Sequence, residues 1–370
     1  MKIKILVIFF AIALISFYFF ISNNKRFDVA KDINKIEFGT IFTDNMFLME
    51  WILEKGWHNA RIEKYHSLNF DPASSHMHYG CEIFEGMKAY KTNNNKVVLF
   101  RPKENFNRMN DSAKRMCMPE IDVEFVLKNL KMLVKKDERW VPQGKGMSLY
   151  IRPTMIANEC NLNLKPANKF LFFIIMSPVG AIYKEGFNPV SILVSQKYTR
   201  ASVGGVGNIK TGGNYAASML AQKEAKEQGF SQVLWLDPLN RKYVEEVGIM
   251  NIFFVIDGVL VTPKLNGTIL PGITRKSIIT LAKNYGYKVQ ERKISIDEVI
   301  KEIKSGKCTE IFGSGTAAVI SPVGRLKYNE AIFTINNNKT GPITEKLFQI
   351  LTGIHHGTEK DLLNWIEEVN

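Results

Sequence analysis

Apolar residues at Val123, Val126, Leu127, Leu130, Leu133 and Val134 recur every three or four positions, the spacing of one helical face turned toward a core. Residues 103–115 carry Phe106 and Met109 in the same way and predict a second helix. The pattern changes at 170–176, Phe-Leu-Phe-Phe-Ile-Ile-Met, where every position is apolar. So short a run fits a strand covered on both sides. Residues 97–100, 148–156, 190–194, 233–236 and 309–312 also read as strands. At 251–256 and 259–262 two apolar runs flank Asp257-Gly258, a pair suited to a tight hairpin turn. Helices are expected at 214–228, closed by Gly229, and at 274–284, ended at Gly286. Ser295 with Glu298 forms a capping box that opens a helix over 296–304. The chain therefore reads as α+β, with two mixed α/β lobes and no repeats. A smaller first lobe spans 31–176, a linker 177–189, and a larger second lobe 190–370.

One run follows neither period. Residues 5–21 are almost wholly apolar, just long enough to span a bilayer. A cleavable signal needs small residues near the end of its apolar run, and Phe19-Phe20-Ile21-Ser22 offers a poor site. Residues 1–30 thus read as an uncleaved anchor, with a secretion signal or a misplaced start as the alternatives. Lys25, Arg26, Lys31 and Lys35 outweigh Lys2 and Lys4, which places the remainder of the chain on the cytoplasmic side.

The 370 residues are 45% hydrophobic and 23% charged, ordinary for a globular protein with substantial cores. The net charge of +13 is spread along the chain, without a basic block or a nucleic-acid motif, so no nucleic-acid partner is expected. Cys81, Cys117, Cys160 and Cys308 form no C-x-x-C pair and suit a reducing compartment. His76-x-His78 and His355-His356 lack further ligands at zinc spacing, so no metal is expected.

The chemistry concentrates in Gly204-Gly205-Val206-Gly207-Asn208-Ile209-Lys210-Thr211-Gly212-Gly213-Asn214-Tyr215. A P-loop would need glycine where Ile209 stands, and a branched side chain blocks the phosphate-wrapping turn. A plain loop with a solvated lysine leaves five glycines unexplained. A lysine that bonds covalently to pyridoxal phosphate accounts for them, because the backbone must let a ligand approach closely. That reading asks for anion sites and a ring-nitrogen acid. Residues 270–275 end a loop and open a helix, and the loop at 313–317 is a second candidate nest. Each is equally an ordinary turn. Glu245-Glu246-Val247-Gly248 sets acids at the mouth of an apolar strand, where a glutamate can serve a pyridine nitrogen or sit as a solvated charge.

In chain order, Phe38-Gly39-Thr40, Tyr79, Phe84-Glu85-Gly86-Met87-Lys88-Ala89, Phe100-Arg101-Pro102, Arg108-Met109, Tyr150-Ile151-Arg152-Pro153, the Lys210 loop, Glu246-Val247-Gly248, 270–275 and 312–317 resemble the branched-chain-amino-acid aminotransferases. These belong to fold type IV of the pyridoxal-phosphate enzymes. The resemblance covers the chain from Phe38 to about Val323. It implies pyridoxal 5'-phosphate on Lys210, with Glu246 at the ring nitrogen and Tyr215 at the phenolic oxygen. It implies that Arg108 and the backbone at Ile273, Thr274 and Thr316 hold the phosphate. Tyr79 and the Thr316-Ala317 backbone would take the substrate α-carboxylate, and Arg152 the side-chain carboxylate of glutamate. Phe38, Phe84 and Tyr150 would line the aliphatic pocket. Leu164 would reach the pocket of a second subunit in a homodimer.

The implied reaction exchanges the amino group of leucine, isoleucine or valine with 2-oxoglutarate, giving glutamate. Three departures stand out. Ala318 and Ser321 occupy the positions of a redox cysteine pair found in some relatives, which excludes that thiol switch. Ile249 replaces a smaller or hydroxylated residue behind the cofactor, and Ile182-Tyr183 an aromatic pair. A D-amino-acid aminotransferase or an aminodeoxychorismate lyase would share Lys210 and Glu246. A catalytically dead, membrane-tethered binding protein is the non-enzyme alternative.

Overall fold

The computed structural model describes residues 37–180 and 187–370. The expected anchor at 5–21 and Ile182-Tyr183 lie outside them. No helix among the described residues is long and apolar enough to cross a membrane.

The apolar run at 170–176 is the middle of a longer strand. The first part of the chain folds into β1 (Asn45–Ile52), β2 (Gly56–Lys64), α1 (Ser75–Tyr79), β3 (Glu82–Phe84), β4 (Met87–Lys91), β5 (Val97–Phe100), α2 (Pro102–Arg115), α3 (Val123–Lys136), β6 (Ser148–Ala157) and β7 (Lys169–Val179). β6 and β7 pair at every position from Ser148↔Val179 to Ala157↔Phe170. Ser177, Pro178 and Val179, expected in the linker, are therefore ladder residues. The buried faces of α2 and α3 pack Phe106, Met109, Leu127, Leu130 and Val134 onto this sheet. β1 and β2 carry no clean alternation and escape sequence reasoning.

The second part runs through β8 (Val190–Val194), α4 (Gly212–Ala216), α5 (Met219–Glu227), β9 (Gln232–Leu236), β10 (Val244–Val247), β11 (Met250–Ile256), β12 (Val259–Pro263), α6 (Ile273–Asn284), β13 (Val289–Arg292), α7 (Ile296–Lys304), β14 (Cys308–Gly315), β15 (Val319–Tyr328), β16 (Ala331–Thr334), α8 (Pro342–His356) and β17 (Ile366–Glu368). Asp257 and Gly258 both take positive φ, as a type I′ turn requires. Ser295 Oγ accepts from the Glu298 N–H, closing the expected cap. The single helix expected at 214–228 is two, α4 and α5. Ser218 Oγ donates to the Tyr215 carbonyl at 2.7 Å between them, offering that backbone an alternative to helix. Gly313, Ser314 and Gly315, expected in a loop, lie in β14. A Cβ on Gly313 would stand 2.8 Å from the Met250 methyl, so glycine here makes room for a neighbouring side chain.

Among the described residues the first sheet orders as β17-β5-β4-β6-β7-β1-β2, with β3 on β6. The second orders as β10-β9-β8-β15-β14-β11-β12-β13, with β16 on β15, and β10 also pairs with β11. That extra pairing closes β10, β9, β8, β15, β14 and β11 into a barrel. A third core joins the two sheets, packing Tyr90, Val98 and Phe100 against Phe253, Phe312, Val319 and residues of α6 and α8. The loop holding Lys210 lies across this junction, where the Phe84 N–H of β3 donates to the Lys210 carbonyl.

Candidate active site

Lys210 ends the glycine loop just before α4. Its backbone N–H donates to Ser112 Oγ of α2 at 3.1 Å, and its ammonium donates to Tyr215 Oη at 2.6 Å. Lys210 and Tyr215 are five residues apart, so the short helix α4 brings the phenol back over the amine. Lys210 Nζ also stands 4.8 Å from the Phe84 ring centroid, and Phe84 lies 4.9 Å from the Tyr215 ring.

Tyr150 and Arg152 sit two apart on β6 and therefore share a face. Arg152 donates to Tyr150 Oη at 2.9 Å, and its guanidinium lies over Phe84 at 4.6 Å. Arg152 Nε is buried without a partner. Phe38 meets Tyr150 edge-on at 5.0 Å. Gly86 stands behind this group, where a Cβ would overlap the Tyr150 hydroxyl. One wall thus carries Phe38, Phe84, Tyr150 and Arg152, with Lys210 and Tyr215 against it.

Glu246 is buried on β10. Its Oε1 accepts from the Leu270 N–H at 2.7 Å, and its Oε2 faces Arg200 Nε at 2.8 Å. Burial pushes its carboxyl above the ordinary range, with Arg200, the Leu270 N–H and Lys210 opposing. Each oxygen keeps a lone pair for a further donor. Glu245, beside it, bonds Thr268 instead.

Arg108 faces Glu85. Its Nε and Nη2 donate to the two carboxylate oxygens at 2.8 Å each, and its Nη1 to the Pro271 carbonyl at 3.2 Å. Burial opposes the Glu85 charge, but Arg108 and Asn105 bring its carboxyl below the ordinary range. The α6 N-terminus opens at Gly272, with no side chain capping it. Ile273, Thr274 and Thr316 line one small void of about 20 Å³.

Among the described residues no hydrogen bond joins Tyr79, Leu164, Ile249 or Ala317 to Lys210. Tyr79 donates its hydroxyl to the Leu162 carbonyl, on the connection that also bears Leu164. Leu164 is 82% exposed. Ile249 is half exposed at the β10–β11 turn. Ala317 offers its carbonyl to Lys88 Nζ at 2.7 Å.

Sequence reasoning gave Glu85, Arg200 and Ser112 no role. Glu85 carried a signal, an acid inside an otherwise buried strand-turn-strand run, since a buried charge needs a partner. Arg200 and Ser112 carried none. Arg200 also donates to the Gly207 and Thr268 carbonyls at 3.1 and 2.8 Å, pinning the glycine loop beside Glu246.

This geometry joins a lysine, a phenol, a buried acid and an uncapped helix end. Residues 82–326 match the family model for class IV amino-transferases. The chain belongs to the class IV aminotransferases. Branched-chain-amino-acid aminotransferase 2 of Bacillus subtilis is 52% identical over 338 residues, covering 91% of this chain and 93% of that protein. The crystal structure of the Escherichia coli branched-chain amino acid aminotransferase superposes with a TM-score of 0.75 at 28% identity, over 89% of this chain and all of that one. The branched-chain amino acid aminotransferase of T.th., complexed with N-(5'-phosphopyridoxyl)-L-glutamate, gives 0.72 at 28% identity over 87% and 98%. Membership fixes the fold as type IV, consistent with two mixed sheets and a site at their junction.

Proposed function

We propose that this transaminase moves the amino group between leucine, isoleucine or valine and 2-oxoglutarate, with pyridoxal 5'-phosphate held at Lys210. The observation that carries this reading is the Lys210 Nζ–Tyr215 Oη bond, set against the Phe84, Tyr150 and Arg152 wall. The residues suit the cofactor. Lys210 Nζ has a phenol and no carboxylate as its hydrogen-bond partner, Glu246 keeps lone pairs free, and the α6 N-terminus is uncapped.

Bound there, the cofactor supplies an electrophilic carbon for the substrate amine and a ring that draws electrons from the broken Cα–H bond. Lys210 Nζ would take the proton from the substrate Cα and hold it there as the general base. A positioned base of this kind contributes about 10²–10⁴ in rate. Tyr215 Oη accepts from that amine and would donate to the cofactor's phenolic oxygen. Glu246 would face the ring nitrogen, and Arg200 beside it opposes the upward push of burial on its carboxyl. The N–H groups of Ile273, Thr274 and Thr316 hold phosphate, with Arg108 beside them. Tyr79 and the Thr316-Ala317 backbone take the α-carboxylate.

One pocket must accept both an aliphatic and an anionic side chain. Phe38, Phe84 and Tyr150 receive the aliphatic one. Arg152 Nε, buried and unsatisfied, receives the carboxylate of glutamate. Leu164, almost fully exposed, reaches the pocket of a second copy in a homodimer. The catalytic part works on the cytoplasmic side, tethered through residues 5–21, a reading supported by the apolar run and its flanking charges. Leucine and 2-oxoglutarate supplied to the purified holoenzyme should yield glutamate and the branched 2-oxo acid. Turnover with D-alanine and none with leucine would overturn the assignment.

A further inference from the structure

A cavity of about 230 Å³ lies against the Ala317 turn, at the junction of the two sheets. Its walls include Lys88, Phe187, Phe348, Thr352 and His355, together with Ala317, which it shares with the proposed substrate site; Lys210, Tyr215, Phe84, Tyr150 and Arg152 do not line it. It is smaller than the usual drug-sized pocket of about 300–1,000 Å³, and so suits a small molecule.

Two buried groups on its wall are poorly satisfied. Lys88 is 5% exposed, and Ala317 O is the hydrogen-bond partner shown for its three ammonium donors. No carboxylate among the described residues lies within ion-pair distance of it. Glu345 shares the cavity but accepts from Gln349. Burial pulls the Lys88 amine to about 8, so it stays largely charged at neutral pH. A buried ammonium without a counter-ion is unfavourable, and an entering anion relieves it. His355 is 3% exposed and neither ring nitrogen has a partner. Its ring stacks on Tyr90 at 4.4 Å and meets Phe100 edge-on, which fixes its plane. The neutral imidazole therefore has one N–H to give. The cavity lining also carries an apolar pair, Phe187 stacked on Phe348 at 3.9 Å.

We propose that this cavity is a second binding site, for a small organic monocarboxylate with an apolar body. Its carboxylate sits at Lys88 and His355, and its body lies against Phe187 and Phe348. Resting on the proposed role of the Thr316-Ala317 backbone, occupancy is felt at the active site, because Lys88 fixes the Ala317 carbonyl. The same chain segment then reports on both sites.

The probe is 4-bromobenzoate. Soaked into holoenzyme crystals, it should give an anomalous bromine peak beside Phe348. In calorimetric titration of the holoenzyme, Thr352→Trp, which fills the cavity from α8, should weaken this binding at least tenfold while leucine turnover stays near wild type. Lys88→Met should also weaken it tenfold, which keeps the test open if the tryptophan variant folds poorly. A bromine peak only in the Lys210 pocket, or none, overturns the proposal. So does binding at crystal concentration only, with no difference between wild type and both variants in solution. Leucine turnover is measured separately, so a failure of the transaminase reading is seen independently of the bromobenzoate result.

Discussion

Glu85 accepts from Arg108 through both of its oxygens, at 2.8 Å each, and neither side chain is more than 9% exposed. The pair ties β3–β4 of the first sheet to the Pro271 loop before α6. Glu85→Ala leaves Arg108 charged and buried without its carboxylate, and should destabilise the protein by about 3–5 kcal/mol. The folded Glu85 carboxyl lies below its ordinary 4.5, so the stabilisation is present above that pH and lost as pH falls through the folded value. Urea denaturation at pH 7 and pH 4 checks both points. Equal stability of variant and wild type at pH 7 would contradict them.

Gly86→Ala should displace the Tyr150 hydroxyl, since the added carbon overlaps it. Arg152 then loses its 2.9 Å acceptor and its fixed position. The expected result is a fall of about tenfold in kcat/KM for glutamate, near 1.4 kcal/mol. Unchanged kinetics would show that Tyr150 moves aside freely.

Arg152→Ala should separate the two substrate types. Leucine brings no side-chain carboxylate and should react nearly as before. Glutamate and 2-oxoglutarate should lose a charge-assisted hydrogen bond, about 1.5–3 kcal/mol. Single-turnover rates for each half-reaction measure this, and equal losses would assign Arg152 to structure alone.

Lys210→Ala should drop turnover at least 10²-fold, the lower bound for a positioned base. The fold should persist, because Ser112 bonds the backbone and not the amine. Circular dichroism with a glutamate-release assay checks both, and a variant retaining a tenth of wild-type rate would remove Lys210 from the reaction.

His355 sets an acid limit. Burial, with His356 and Lys88 nearby, holds its imidazole well below 6.5. Below pH 6.5 the unfolded chain takes a proton that the folded protein refuses, so stability falls with pH by up to about 1.4 kcal/mol per unit. The melting temperature of His355→Phe should therefore fall less than wild type between pH 7.5 and 5.5. Parallel curves would show that other groups control the loss.

Features governed by neighbours in sequence were legible. The Asp257-Gly258 turn, the Ser295 cap and the buried faces of α2 and α3 depend on local spacing. Tyr150 and Arg152 were placed by resemblance, and their sharing one face of β6 follows from the period of a strand. What escaped depends on distant partners. Glu85 and Arg108 are 23 residues apart, and Arg200, on the connection after β8, pairs with Glu246 on β10. Gly313 and Gly315 read as loop because glycine usually marks one, whereas here Met250 fills the space a side chain would take. Tyr79 was placed by resemblance, and within one copy of the chain its hydroxyl meets the Leu162 carbonyl; Leu164, expected to reach a second copy, is exposed.

β17 pairs Ile366, Glu367 and Glu368 with Phe100, Leu99 and Val98. The first sheet is thus completed by residues made more than 260 positions after the strand they cover. During synthesis β5 waits with one open edge while the entire barrel is translated. Open edges template pairing with other chains. A ribosome that stalls before Ile366 releases a polypeptide holding Lys210, Glu246 and every other residue of the site, yet one whose β5 edge invites aggregation. The β5 edge is therefore closed only once residues 366–368 have been made.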